Sequence, residues 1–314
     1  MEERWIHIMN KIVDLVIPIY KPDEQFYELI RRLENQTVKI GKIFLMHTED
    51  GKSISSVLDQ YNNIIEITVP FSSFDHGKTR DEAIRKSSAD IVVCMTQDAL
   101  PANKEMLEAL IKPLEDEKIA LAYARQMPRK DSRITEKFIR NFNYPPENKR
   151  KSIADRGKLG IKTFFCSNVC AAYKREVYLQ TGGFECHVPL NEDMIYAMKC
   201  MKNGWDIFYS ADAKVIHSHN YTYKQQFKRN FDIAVSQAQH AEDFDNISSE
   251  KEGVRLVRSM VIYLMKKGKV WYIPYFAGEC VAKYLGFCLG KRYKRLPLSM
   301  VKKCSLDARF WEWR

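Results

Sequence analysis

The sequence is short of the features that assign a chain at once. Its eight cysteines include no CxxC pair, and Cys94 and Cys200 lie inside apolar segments, as buried thiols of a reduced, cytoplasmic protein would. No apolar run reaches the roughly 18 to 20 residues that a membrane-spanning helix needs. The best stretch, Val257 to Met265, stops at Lys266-Lys267. No cleavable signal pattern opens the chain. No GxxxxGK[ST] loop, internal repeat or low-complexity tract occurs.

What is present is an ordinary globular balance. Hydrophobic residues make up 45% and charged residues 29% of 314, which excludes disorder and is enough for one large α/β domain with a smaller appendage. The net charge of +10 is local. Residues 251–314 hold 15 Lys plus Arg against 4 Asp plus Glu, leaving 35 against 36 in the first 250. The C-terminal fifth therefore faces an anionic partner, a membrane surface or a polyanion, or else is a solvated Lys-rich helical surface.

The order of elements gives the fold class. Ile12 to Ile19 is a β-branched run with Pro18 near its end, and reads as a buried parallel strand. A helix follows from Pro22-Asp23, with Phe26, Leu29, Ile30 and Leu33 on one face. Further strands read at Lys42–Met46, Ile64–Val69 and Asp90–Met95, with helices at Ser53–Tyr61 and His76–Ser88 between them. Such alternation predicts a mostly parallel sheet with helices on both faces. Ligands of such sheets bind at the carboxyl ends of the strands. A helix at Lys104–Leu114 and a strand at Ile119–Ala124 come next. Residues 126–162 read as a long mobile loop or helical insertion. After a Gly182-Gly183-Phe184 turn come a helix over about Asn191–Asn203 and a strand ending in His217-Ser218-His219. From Tyr223 the chain reads as helical.

Four constellations lie at those strand ends. Asp98, after the fourth strand in Thr96-Gln97-Asp98, is placed to hold a divalent cation against a diphosphate, or to cap a following helix. Glu192 and Asp193 sit in a first helical turn, where acids favour the dipole and where one could serve as general base. His217 and His219 share one side of a strand, and one of them could join Asp98 on Mg²⁺ or Mn²⁺. Phe74 to Arg80, with Asp75, His76, Gly77 and Lys78 at a strand–helix junction, suits a diphosphate or nucleoside site.

In order along the chain, IPIY, HTEDG, FDHGKTR, TQDALP, GGF, NED and HSH resemble the family-two glycosyltransferases over about residues 11–225. FDHGKTR, TQDALP and the tail KYLGFCLGKRYKRLP are most similar to bacterial rhamnosyltransferases using dTDP-L-rhamnose. The resemblance implies a GT-A fold over 1–225, a basic, aromatic-rich helical region over 226–314, and an inverting single displacement. It implies that Asp98 and His217 or His219 hold the metal and that Asp193 or Glu192 is the base. Pro18, Tyr20, Asp50, Asp75, Arg80 and Gln97 fall on the nucleotide side. Thr96 stands where the commoner Asp-x-Asp motif has its first acid.

The expected reaction is attack of an acceptor hydroxyl, on a glycan or lipid-linked glycan, at the anomeric carbon of a nucleotide-activated deoxysugar. A UDP-hexose donor and a nucleotidyltransferase are the enzyme alternatives, though the latter usually needs a glycine-rich phosphate loop that Ile17–Asp23 lacks. A nucleic-acid-binding protein is the alternative from another class, but the basic residues form no RNA- or DNA-binding motif, so no nucleic-acid partner is expected. The tail, with Trp271, Tyr272, Tyr275, Phe276, Tyr284, Phe287, Trp311 and Trp313 among its cations, suits peripheral contact with the inner face of the cell membrane.

Overall fold

The computed structural model describes residues 11–52, 54, 60–244 and 250–312. The first ten residues, most of the expected Ser53–Tyr61 helix and Trp313 lie outside them. Among the described residues nine strands form one sheet: β1 Val13–Ile19, β2 Ile40–Thr48, β3 Ile64–Val69, β4 Ile91–Met95, β5 Leu100–Pro101, β6 Ile119–Met127, β7 Lys149–Lys151, β8 Cys170–Lys174 and β9 Asp206–Ile216. Their order is β3-β2-β1-β4-β8-β6-β9-β5, with β7 beside β9.

The stretch β3-β2-β1-β4 is wholly parallel. The sheet then turns mixed, because β8 enters antiparallel between β4 and β6. The sequence reading did not reveal this, since strand order depends on pairing between segments far apart in the chain. Met95 pairs with Cys170, so the start of β8 lies at the carboxyl end of β4.

β1 reads as a continuous apolar run because both its faces are covered. Val16 enters one core with Cys94, Ala171 and Tyr173, while Leu15 and Ile17 enter the other with Val93 and Phe26. Helix α1, Glu24–Glu34, supplies part of that second layer through Phe26, Leu29, Ile30 and Leu33. Asp23 caps it, accepting from Gln25 N at 3.0 Å, a contact of about 0.5–2 kcal/mol. Leu29→Ala would remove a fully buried side chain, at a cost of about 2–5 kcal/mol.

Helix α2, His76–Lys86, follows β3. Residues 126–162 contain the end of β6, a helix at Ile134–Asn143, β7 and short helical turns, and so form a helical insertion. Helix α3 is Glu192–Lys202. Helix α4, Tyr223–Gln239, begins just after the histidine strand and crosses 225/226 without a break.

Helices at Glu250–Lys266, Tyr272–Lys291 (α5) and Leu298–Cys304 complete the tail. α4 and α5 meet backbone to backbone. A Cβ on Gly286 would lie 2.2 Å from the Phe227 carbonyl, and one on Gly290 2.3 Å from that of Phe231, so only glycine fits at either position. A small core of Phe231, Val235, Tyr293, Val301 and Trp311 fastens the last residues onto α4.

Candidate active site

The carboxyl ends of β1, β4 and β9 and the start of β8 share one edge. Thr96-Gln97-Asp98 turns off β4. Asp98 caps no helix, since the next begins at Met106. Gln97 clasps Tyr20 at the end of β1: its Oε1 accepts from Tyr20 N at 2.8 Å, and its Nε2 donates to Tyr20 O at 3.0 Å. This reciprocal pair fixes the turn beside Asp98.

The Asp98 carboxylate meets both histidines that follow β9. Its Oδ2 lies 3.5 Å from His217 Nε2 and 3.2 Å from His219 Nε2, and the two Nε2 atoms are 3.1 Å apart. Sequence reasoning required only one imidazole here; the alternation of the strand end supplies two. The network orients the His217 ring. Gln126 Nε2 donates to Tyr144 OH at 2.6 Å and to Ser167 Oγ at 3.0 Å, so Gln126 Oε1 is the acceptor facing His217 Nδ1 at 3.1 Å. Nδ1–H then donates to Gln126, which leaves Nε2 facing Asp98 and His219.

Burial pushes the Asp98 carboxyl up, but the His217 hydrogen bond and the two imidazoles outweigh it and hold the group well below the carboxylate range. Burial and the neighbouring His217 lower His219 to about 4. An ionised carboxylate and two imidazoles whose ligand atoms all lie within 4.8 Å of one another form a donor set that fits a divalent cation such as Mn²⁺ or Mg²⁺.

A second acidic centre opens α3. Asn191 adopts a left-handed backbone, φ 70°, which turns Glu192 and Asp193 inward. Glu192 is buried, with Oε1 3.3 Å from Arg80 Nη1 and accepting from Asn168 Nδ2 at 3.0 Å. Asp193 Oδ2 accepts from Asn168 N at 2.9 Å. Asn168 is a hub that sequence reasoning missed, because one polar loop residue leaves no periodic signal. It adjoins Ser167, which carries the network on to Gln126 and His217.

The two acids of α3 diverge. Burial, then the charge of Glu192, pushes the Asp193 carboxyl up to about 7. Burial would raise Glu192 too, but Arg80 and His76 reverse it and hold it below the ordinary range.

The other expected residues divide into two groups. Pro18, Tyr20, Asp50 and Gln97 line or brace the β1–β2 end of the edge. Asp50 accepts from Lys21 N and Lys52 N, each at 2.8 Å, and lies 3.3 Å from His47 Nε2. His47 also meets Glu66 at 2.6 Å, a bridge not anticipated from sequence. Asp75 and Arg80 differ from expectation. Asp75 Oδ1 accepts from Lys78 N at 2.7 Å and Oδ2 from His187 N at 2.8 Å, while Arg80 is buried against Glu192. Nor does Gly77 open a phosphate cradle. A Cβ there would lie 2.0 Å from the Glu185 carbonyl, so its smallness serves backbone packing. FDHGKTR builds a wall of the site.

Comparison with known proteins is consistent with this geometry. Residues 11–235 match the sequence profile of a family described as "Glycosyltransferase like family 2". The chain is 35% identical over 303 residues to the O-antigen chain rhamnosyltransferase RfbN of Salmonella typhimurium, covering 95% of this chain and 96% of the relative. It is 37% identical over 305 residues to the O-antigen chain rhamnosyltransferase WbaN of Salmonella anatum, with 95% of each covered. In fold it is similar to a mannosyltransferase of Pyrobaculum calidifontis, solved with GDP-Man and Mn²⁺, at a TM-score of 0.61 and 13% identity over 91% of this chain and 88% of that one.

Proposed function

Since the chain belongs to glycosyltransferase-like family 2 and is a glycosyltransferase, we propose that it transfers L-rhamnose from dTDP-β-L-rhamnose to a hydroxyl of a growing, lipid-linked surface polysaccharide. One observation carries the reading: the Asp98–His217–His219 cluster and the raised carboxyl of Asp193 lie on the same sheet edge.

Asp193 is the general base. Its proton affinity, near neutrality, suits taking a proton from an acceptor hydroxyl as that oxygen attacks the anomeric carbon. Asn168 orients it through the 2.9 Å backbone bond. Glu192, held ionised by Arg80, keeps that affinity high. Asp98, His217 and His219 would hold a divalent cation, which would supply positive charge against the charge that develops on the departing nucleoside diphosphate. Tyr20, Pro18, Asp50 and Gln97 form the nucleotide side, and Asp75 and Arg80 position the wall behind it. One displacement inverts the anomeric centre, so the β-linked donor gives an α-linked product. Turnover of dTDP-L-rhamnose, UDP-glucose and UDP-galactose side by side tests the donor. Faster use of either UDP-hexose would reject rhamnose and keep the mechanism.

The tail supports a membrane-facing placement. Among the described residues no helix is long and apolar enough to cross a membrane. Yet Val281, Tyr284 and Leu285 of α5 are 57%, 68% and 53% exposed, on one helical face. Lys266, Lys267 and Lys269 precede this helix, and Lys291, Arg292, Lys294 and Arg295 end or follow it. Apolar rings and chains flanked by cations suit the boundary of an anionic bilayer. Vesicles containing anionic lipid should bind the full chain, less so as salt rises. Val281→Glu with Leu285→Glu should abolish that binding, and retained binding would reject this face.

A further inference from the structure

The last turn of the tail reaches the nucleotide side of the site. Asp307 caps the turn Ala308–Trp311 by accepting from Arg309 N at 3.0 Å, and its carboxylate also takes the Nε and Nη2 edge of the Arg309 guanidinium. Trp311 is buried against Tyr293, ring centroids 5.7 Å apart, so the turn is anchored from behind. Held this way, the Arg309 guanidinium carbon lies 4.2 Å from the centre of the Phe71 ring. The Phe71 and Tyr20 ring centroids are 5.7 Å apart. Tyr20 in turn is clasped by Gln97, the neighbour of Asp98. A continuous row thus runs from the cation cluster through Gln97, Tyr20 and Phe71 to Arg309.

The outer end of that row is open. Tyr20 is 37% and Phe71 39% exposed, and the Arg309 side chain 33%. Half-open aromatic rings beside a guanidinium with a free edge are suited to a planar heterocycle: the rings offer a stacking face, and Nη1 can donate to a ring carbonyl. Thymine and uracil each carry two such carbonyls.

Building on the reading of the chain as a nucleotide-sugar transferase, we propose that Arg309 is a donor-binding residue that meets the nucleobase on the Tyr20–Phe71 shelf. It lies outside the family-matched segment, which ends at residue 235. The tail therefore completes the donor site as well as bracing the fold.

Titration calorimetry of the full chain in Mn²⁺, with dTDP and with inorganic pyrophosphate, tests this. Arg309→Ala should weaken dTDP roughly tenfold, the scale of one lost base contact, and leave pyrophosphate unchanged. Arg309→Lys should fall between. Phe71→Ala, which leaves the tail's own packing intact, should show the same split between the two ligands. Unchanged dTDP affinity in Arg309→Ala and Phe71→Ala would overturn the assignment. Equal weakening of both ligands would overturn it too, by moving Arg309 to the phosphates. Failure of the unaltered chain to bind dTDP, UDP or GDP would instead sink the nucleotide-sugar reading beneath it.

Discussion

Asp98 and Asp193 are the same residue type on one edge of one sheet, and their surroundings drive them apart. Both are desolvated, which by itself raises a carboxyl. At Asp98, two imidazoles and a hydrogen bond from His217 overcome that effect. At Asp193 the charge that weighs most is another carboxylate, Glu192, which adds to it. One acid is thus kept as a permanent anion and the other as a proton acceptor near neutrality. Partner choice, more than burial, divides the labour.

The comparison breaks most sharply at Asp193. Asp193→Asn should lower turnover by about 10²- to 10⁴-fold, the range for loss of a general base, and leave dTDP affinity intact. Single-turnover rates near those of the unaltered chain would remove its role. Asp98→Asn should also cost turnover, on the order of 10²-fold, but differently. Raising Mn²⁺ should recover part of its activity and none of that of Asp193→Asn. Identical responses in a metal titration would mean that the two acids are not specialised.

The pH profile carries the next effect. Below about 7 the Asp193 carboxyl holds its proton and cannot act as base. kcat/KM should therefore rise with pH, by up to about tenfold per unit, and level off above that point. A profile flat from pH 5 to 8 would contradict the raised affinity. The smallest change is the most diagnostic. Glu192→Gln removes the neighbouring negative charge and leaves Arg80 in place, so the rising limb should move to lower pH. A limb that stays put would assign the raised affinity to burial alone.

Much of this was legible in the sequence because it was local. β1 and β4 announce themselves as apolar runs, and the face Phe26-Leu29-Ile30-Leu33 reads directly from its spacing. Asp98, Asp193 and the two histidines stood out by their order after those elements. What stayed hidden depends on distance. Gln97 and Tyr20 are clasped across 77 positions, and Gln126 faces His217 across 91. Asp75 looked open to a ligand because nothing nearby shows that His187, 112 positions on, takes its second oxygen.

The glycines of α5 have a mechanical consequence. With Phe227 and Phe231 carbonyls seated against Gly286 and Gly290, α4 and α5 cannot slide or roll past one another without a clash, and they move as a single strut. α4 begins four residues after His219. The strut starts at the histidine pair, and the exposed face of α5, between Gly278 and Gly286, lies beside its first turns, Tyr223 to Phe227. Should α5 rest on a bilayer as proposed, the histidine pair would stand at a fixed height and tilt above it.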